Sequence, residues 1–391
     1  MKIVIIPSAD LAYNSGSVIY AKLLFEYLID KGHEVYMLGM CVPNDVDENK
    51  KNRIKVKENL LFHPIIDDRP IENIQYLRMG SDILDALIEI YQEWGGIDII
   101  HAHYASINSY FGSIVKHFVG AKVIVSSFGR DLNIGYEFNE LFKFMIDYSY
   151  EIADKIVVPE VFLKNKILKM FPGIQHDKIE ICPMPLDDKV LSTGEFVERD
   201  ENMITFATVN SCFTPEKGIE NIIVAFAEII KIYKNCRLFI AGQDDDELLV
   251  NDKRLRDLVE KCRIQDKVIF TGFLSRSDVG RLLNSTDIFI DARIKGNFSS
   301  VLLEAEYKHK IIIASSNEGS KKIICDRING MLFRGGDVAD LVEKIEYVIK
   351  NEALKKRLVL GTELWCANEG KEYEAGVCMN KILQIYKKSM I

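Results

Sequence analysis

The sequence predicts two doubly wound α/β domains in tandem, and three observations predict it. Short β-branched runs alternate with amphipathic helical stretches along nearly the whole chain. Polar loops bearing glycine or serine repeatedly follow a strand and lead into a helix. The chain has 391 residues, more than one ordinary hydrophobic core serves, so two domains of just under 200 residues are expected.

In chain order, Lys2 to Ile6 reads as a short buried strand, and the loop PSADLAYNSGS leads to a helix from about Val18 to Lys31 that Gly32 stops. Glu34 to Leu38 resumes as a strand. Asn14, Ser15, Gly16 and Ser17 therefore stand at a strand's carboxyl edge and a helix N-terminus, where backbone N–H groups suit a phosphate; an ordinary βα connection is the bland alternative, since no GxGxxG is present. Residues 42–75 are polar, with the charged run DENKKNRIKVKEN, and read as solvated loop plus a hairpin or edge strand. A membrane-surface patch of Lys50, Lys51, Arg53, Lys55 and Lys57 is diluted by neighbouring acids.

A helix from about Ser81 to Trp94 precedes the strand Asp98 to His103. Lys122 to Ser126 is another buried strand, opening into SSFGRDLN, where Arg130 and Asp131 arrive at a strand's carboxyl end. Helices at Phe138 to Ala153 and Val161 to Lys169 and strands at Lys155 to Pro159 and Lys178 to Cys182 complete the first set. CPMPLDD and the polar stretch behind it form the linker candidate. The second set comprises strands at Met203 to Val209, Arg237 to Ala241 and Lys267 to Thr271, with helices at Glu220 to Tyr233, Asp252 to Cys262 and Ser277 to Asn284. Helices from Val338 onward close the chain.

The densest stretch is Asp287 to Gly319: strand, polar loop, helix from Ser299 or Ser300 to about His309, strand. The serines are good N-caps, and the helix N-terminus points N–H groups and the positive dipole end at one spot. That spot suits a diphosphate. Glu304, one turn further in, is placed to accept from the two hydroxyls of a ribose, although a lone helix glutamate is more often simply solvated.

Composition bounds the rest. Hydrophobic residues are 48% and charged residues 28%, and no apolar run approaches the ~20 residues that span a bilayer. No secretory segment is read at MKIVIIPSAD, so a cytoplasmic location is expected. The eight cysteines form no CxxC pair and read as free thiols; His101 and His103, on one face of a strand, are a weak metal signal, so no metal is expected. The net charge of −8 argues against a nucleic-acid partner.

About ten fragments in register, among them YNSGS, DIIHAH, FGRD, ADKIVVP, TPEKGIENII, LFIAG, FTGFLSRSDVGRLLNSTDIFIDA and SSVLLEAEYKHKIIIAS, resemble the family-four retaining glycosyltransferases over essentially the whole chain. The resemblance implies the GT-B architecture, two Rossmann-like domains facing across a cleft: an acceptor domain at 1–185, joined by the C-terminal helix at about 367–391, and a donor domain at 186–366. It implies no cofactor beyond a nucleotide-diphosphate sugar, UDP-linked by preference, and a glycan, lipid-linked or protein acceptor. Cell-envelope polysaccharide or glycoconjugate synthesis and peripheral association with the inner membrane face are further expectations of the family. By the same resemblance, Lys217 contacts the donor diphosphate, Ser300, Val301 and Leu302 meet it through their backbone, Glu304 binds the ribose, and Gly16 and Ser17 approach the diphosphate from the first domain; Arg130 and Asp131 join Lys217 as catalytic candidates.

Three positions depart from the family pattern. Gly296 stands where the first glutamate of Glu-x7-Glu is usual, Cys212 where an arginine is usual, and Phe128 where many members have a histidine. Losing one group that stabilises the departing diphosphate costs on the order of 10² to 10³ in rate. Arg130, Arg276 and Arg293 are candidate substitutes. Two readings therefore stand: an active retaining transferase, and a non-catalytic relative serving as a binding or regulatory subunit; a nucleotide-sugar epimerase on the same architecture is the third.

Overall fold

The computed structural model describes residues 1–9, 11, 15–43, 45–57, 73–198, 200, 202–243, 253–294 and 299–390. The chain folds into two compact units, Met1–Pro185 with Tyr373–Ile391, and Leu186–Glu372.

The first unit contains β1 (Lys2–Ile6), α1 (Gly16–Asp30), β2 (Glu34–Gly39), β3 (Ile54–Val56), α2 (Asn73–Trp94), β4 (Ile99–His103), α3 (Ile107–Val119), β5 (Lys122–Ser126), α4 (Tyr136–Phe138), α5 (Glu140–Ile152), β6 (Lys155–Val158), α6 (Val161–Met170) and β7 (Ile179–Ile181). Its strands run β3-β2-β1-β4-β5-β6-β7, all pairs parallel. A parallel sheet covered on both faces needs strands that are apolar throughout, and KIVII and KVIVS supply them. Ile83, Leu87 and Ile90 of α2 and Phe111 of α3 close one face over Ile100 and Val123.

The second unit contains β8 (Ile204–Cys212), α7 (Ile219–Ile232), β9 (Cys236–Gln243), α8 (Arg254–Cys262), β10 (Val268–Gly272), α9 (Arg276–Asn284), β11 (Ile288–Asp291), α10 (Ser300–Tyr307), β12 (Ile311–Ser315), α11 (Ser320–Ile323), β13 (Met331–Phe333), α12 (Val338–Lys350) and α13 (Glu352–Ala367). The strand order is β10-β9-β8-β11-β12-β13, again parallel. Ile222, Phe226 and Ile229 of α7 pack with Phe206, Leu238 and Ile290 in its core. The last helix, α14 (Ala375–Ser389), belongs to the first unit, where it packs on α1.

Several elements differ from the sequence expectation. Of the two alternatives for the polar stretch after β2, the edge strand is the one formed: a 3₁₀ turn over Glu48–Arg53 carries the chain back and β3 pairs parallel with β2. The basic run there is neutralised: Lys50 pairs with Asp30 at 2.6 Å, Lys55 with Glu93 at 2.8 Å and Lys57 with Glu89 at 2.5 Å. Strand β13 was not legible, being three residues long. The proline-rich connection is no loose linker: its continuation docks on α9, with Ser192 Oγ donating to Ser277 O at 2.8 Å and Asn284 Nδ2 to Ser192 O at 3.2 Å.

Candidate active site

In an open parallel sheet, ligands gather outside the carboxyl ends of the strands where the strand order reverses. In the second unit that point lies between β8 and β11. Behind β8 comes a 3₁₀ turn, Pro215–Lys217, and behind β11 the loop that delivers α10. The two are stitched together. Ile294 N donates to Glu216 O at 2.9 Å, and Gly218, at φ +67°, leaves no room for a side chain: a Cβ there would stand 2.2 Å from Ala292 O. Half-buried Lys217 is thereby set beside the chain leading into α10.

Ser299 caps α10, accepting from Leu302 N at 3.4 Å and from Arg293 Nη2 at 3.1 Å. Leu302 N is thus spent on the cap, leaving Ser300 and Val301 with first-turn N–H groups that have no intrahelical acceptor. Arg293 is held at this cap, 3.8 Å from Asp291. Gly296 and Lys295 lie outside the described residues, as does the side chain of Cys212, whose backbone ends β8.

Glu304, one turn into α10, is 2% exposed. Arg276 Nη2 donates to its Oε1, and Arg276 Nε donates to Asp187 Oδ2 at 3.0 Å. Among the described residues, Glu304 Oε2 is buried without a hydrogen-bond partner. Burial pushes the Glu304 carboxyl above the usual carboxylate range, and the Arg276 guanidinium opposes that rise. Arg276 is therefore not a spare cation standing in for the arginine missing at Cys212: it opens α9 and is taken up by two carboxylates. Sequence reasoning missed Asp187 altogether, because nothing local relates it to residues 89 and 117 positions away.

In the first unit the reversal lies between β1 and β4. Gly16 is the first residue of α1. Ser17 is buried, its Oγ 2.7 Å from Ser8 Oγ and 3.3 Å from Ser15 Oγ, so its hydroxyl serves the loop; Asn14 lies outside the described residues. Gly129, at φ 97°, turns the chain after β5. Asp131 is fully buried; Oδ1 accepts from Gly129 N at 2.9 Å and Leu132 N at 3.2 Å, and Oδ2 from Ala105 N at 3.2 Å and from Ser127 Oγ. A carboxylate with both oxygens so engaged clamps the loop and positions half-buried Arg130 beside it, where the sequence had suggested a reacting group. Phe128 packs edge-on against Tyr20, His103 and Tyr104 at 5.5 to 5.6 Å between ring centres.

The strand histidines are both buried. His101 bonds Tyr386 Oη at 2.6 Å and Ser126 Oγ at 2.7 Å, while His103 Nδ1 lies 3.4 Å from Ser17 O. Among the described residues, no three His, Cys, Asp or Glu side chains cluster as a metal would need.

The family described as Glycosyltransferase Family 4 matches residues 14–190, and the one described as Glycosyl transferases group 1 matches residues 196–363. The chain is a GT-B-fold glycosyltransferase related to these two families. An uncharacterized glycosyltransferase of Methanocaldococcus jannaschii is 22% identical to this glycosyltransferase over 392 aligned positions, covering 98% of this chain and 97% of the relative. In fold it is similar to sucrose-phosphate synthase of Thermosynechococcus elongatus, with a TM-score of 0.78, 16% identity and 99% of each chain covered. It is also similar to HepE of Anabaena, solved in complex with UDP-glucose, with a TM-score of 0.74, 13% identity and coverage of 99% and 100%.

Proposed function

We propose that this glycosyltransferase moves a sugar from a nucleotide-diphosphate sugar to a glycan, lipid-linked or protein acceptor, with retention at the anomeric carbon and without a metal. The observation that carries this reading is the convergence, at one switch point of the second unit, of the Lys217 turn, the capped N-terminus of α10 and a buried Glu304 with an unpartnered oxygen. Each suits one part of a nucleoside diphosphate: cation and helix dipole for the phosphates, carboxylate for the ribose. The UDP-glucose held by the structurally similar HepE supports a UDP-linked donor first.

In the proposed reaction the acceptor oxygen attacks the anomeric carbon on the face from which the diphosphate departs. The new C–O bond forms as the sugar–phosphate bond breaks, and the acceptor proton passes to a phosphate oxygen. Lys217 and the α10 N–H groups meet the charge that develops on the leaving group. The role in cell-envelope polysaccharide or glycoconjugate synthesis rests on the family match, as does a cytoplasmic location at the inner membrane face. Any association there is proposed as peripheral; no helix among the described residues is long and apolar enough to cross a membrane.

Calorimetry with UDP, GDP and ADP tests the donor site. One nucleotide is expected to bind the wild type and to lose most of its affinity in Glu304→Ala, while Lys217→Ala lowers transfer from the matching sugar nucleotide by on the order of 10² to 10³. Absence of binding by all three at millimolar concentration would sink the reading in favour of a non-catalytic binding subunit.

A further inference from the structure

Glu304 is expected to work as a ribose ligand, yet a buried carboxylate on a helix is free to rotate or to take a proton, and either would remove the acceptor. What prevents this lies outside α10. Arg276, only 9% exposed, spans two acids: Nη2 reaches Glu304 Oε1 and Nε reaches Asp187 Oδ2 at 3.0 Å. Asp187, 4% exposed, is fixed in turn, because it also accepts from Lys189 N at 3.0 Å. The base of the relay is closely packed as well. Gly280 of α9 lies so close to the following segment that a Cβ there would stand 2.0 Å from Val190 O, and Ser192 is bonded to Ser277 and Asn284. The outcome is asymmetric: Oε1 of Glu304 is held, and Oε2 is buried with no partner among the described residues.

We infer that Arg276, braced by Asp187, is the positioning residue of the nucleotide site: by holding Glu304 Oε1 it presents Oε2 to a sugar hydroxyl of the bound nucleotide. The inference rests on the proposed donor site and adds to it a residue that never touches the ligand. The charges facing Glu304 are those of Arg276 and Asp187. Glu306, two residues on, turns instead to Asn329, whose Nδ2 is 3.0 Å from its Oε1. With Arg276 removed, burial and the Asp187 charge act on Glu304 unopposed, so the pH below which its acceptor is lost must rise.

The test measures, by calorimetry across pH, the affinity of the nucleotide that binds among UDP, GDP and ADP and of its 2′,3′-dideoxy counterpart. The wild type is expected to prefer the ribonucleotide by on the order of ten- to a hundredfold, the worth of hydrogen bonds to a charged acceptor. Glu304→Gln loses most of that preference. Arg276→Met is expected to lose it too and to move the acid limb of ribonucleotide affinity to higher pH. Arg276→Lys, which keeps the charge without bridging both acids, restores the limb and only part of the preference. Should Arg276→Met fail to fold, Arg276→Lys decides alone, since undiminished preference there would overturn the inference. Wild-type preference with an unmoved acid limb in Arg276→Met, alongside its loss in Glu304→Gln, overturns the positioning role and leaves the donor site standing. Preference retained in Glu304→Gln, or no nucleotide bound by the wild type, overturns the donor-site reading and the inference with it.

Discussion

A buried ionisable side chain must be paired, neutral or both, and the residues of this protein show each solution. Glu304 is paired on one side; Asp131 is held by three N–H groups and a hydroxyl; the two histidines of β4 are kept neutral. Burial pulls the His103 imidazole down to about 4 and His101 well below its usual range, with the neighbouring ring adding to the effect on His101. The unfolded chain binds these protons below about pH 6.5 whereas the folded one does not, so the contribution of the two neutral histidines to the first unit's stability is fully present above that pH and is lost progressively as pH falls toward 4. For His103 alone the loss amounts to about 3 kcal/mol. Urea titrations of wild type and His103→Asn between pH 7.5 and 4.5 are expected to show a shallower pH slope in the variant. Equal slopes would mean that His103 is reached by solvent in the native state.

At the scale of elements, chemistry is placed by turns that only certain residues can make. Gly218 is at once the left-handed end of the Lys217 turn and a point of contact with Ala292 of the loop behind β11. Gly218→Ala therefore pays twice, for positive φ and for the overlap, a cost of about 1–3 kcal/mol. It is expected to lower the urea midpoint and also to weaken nucleotide binding, because separating the two turns moves Lys217 away from the α10 N-terminus. A midpoint shift with unchanged affinity would detach Lys217 from the donor site. The segment after Pro185 teaches the converse. Prolines, acids and polar residues read locally as a linker, but Asp187, Val190 and Ser192 meet α9 through contacts about 85 to 90 positions apart in sequence, which composition does not encode.

For the molecule as a whole, the discontinuity of the first unit has consequences. α14 brings buried Cys378, Met379, Ile382, Leu383 and Tyr386 into it, with Tyr386 Oη on His101 and Cys378 O accepting from Cys182 Sγ at 3.4 Å. Each such side chain is worth about 2–5 kcal/mol in a packed core, so a chain ending at Glu372 is expected to lose the first unit's cooperative transition. Calorimetric scans with limited proteolysis check this: the truncated chain should show protease-sensitive residues 1–185 and a surviving transition from 186–372. Two intact transitions would show that α14 contributes little.

The sequence by itself determined that this is a doubly wound α/β protein, because a parallel sheet covered on both faces demands apolar runs alternating with helical periodicity, and both patterns are local. It also determined that Ser299 or Ser300 caps a helix and that Glu304 stands one turn further in, since helix caps have short-range signatures. The tertiary structure alone decided what those residues face. Arg276 joins Asp187 to Glu304 across long separations in sequence; Ser17 serves its own loop, while Asp131 ties its loop to Ala105 behind β4; Lys50, Lys55 and Lys57 of the basic run are paired with Asp30, Glu93 and Glu89. Hydrogen bonds and ion pairs have no period along a chain, so their partners appear only once the sheet order has brought the elements together.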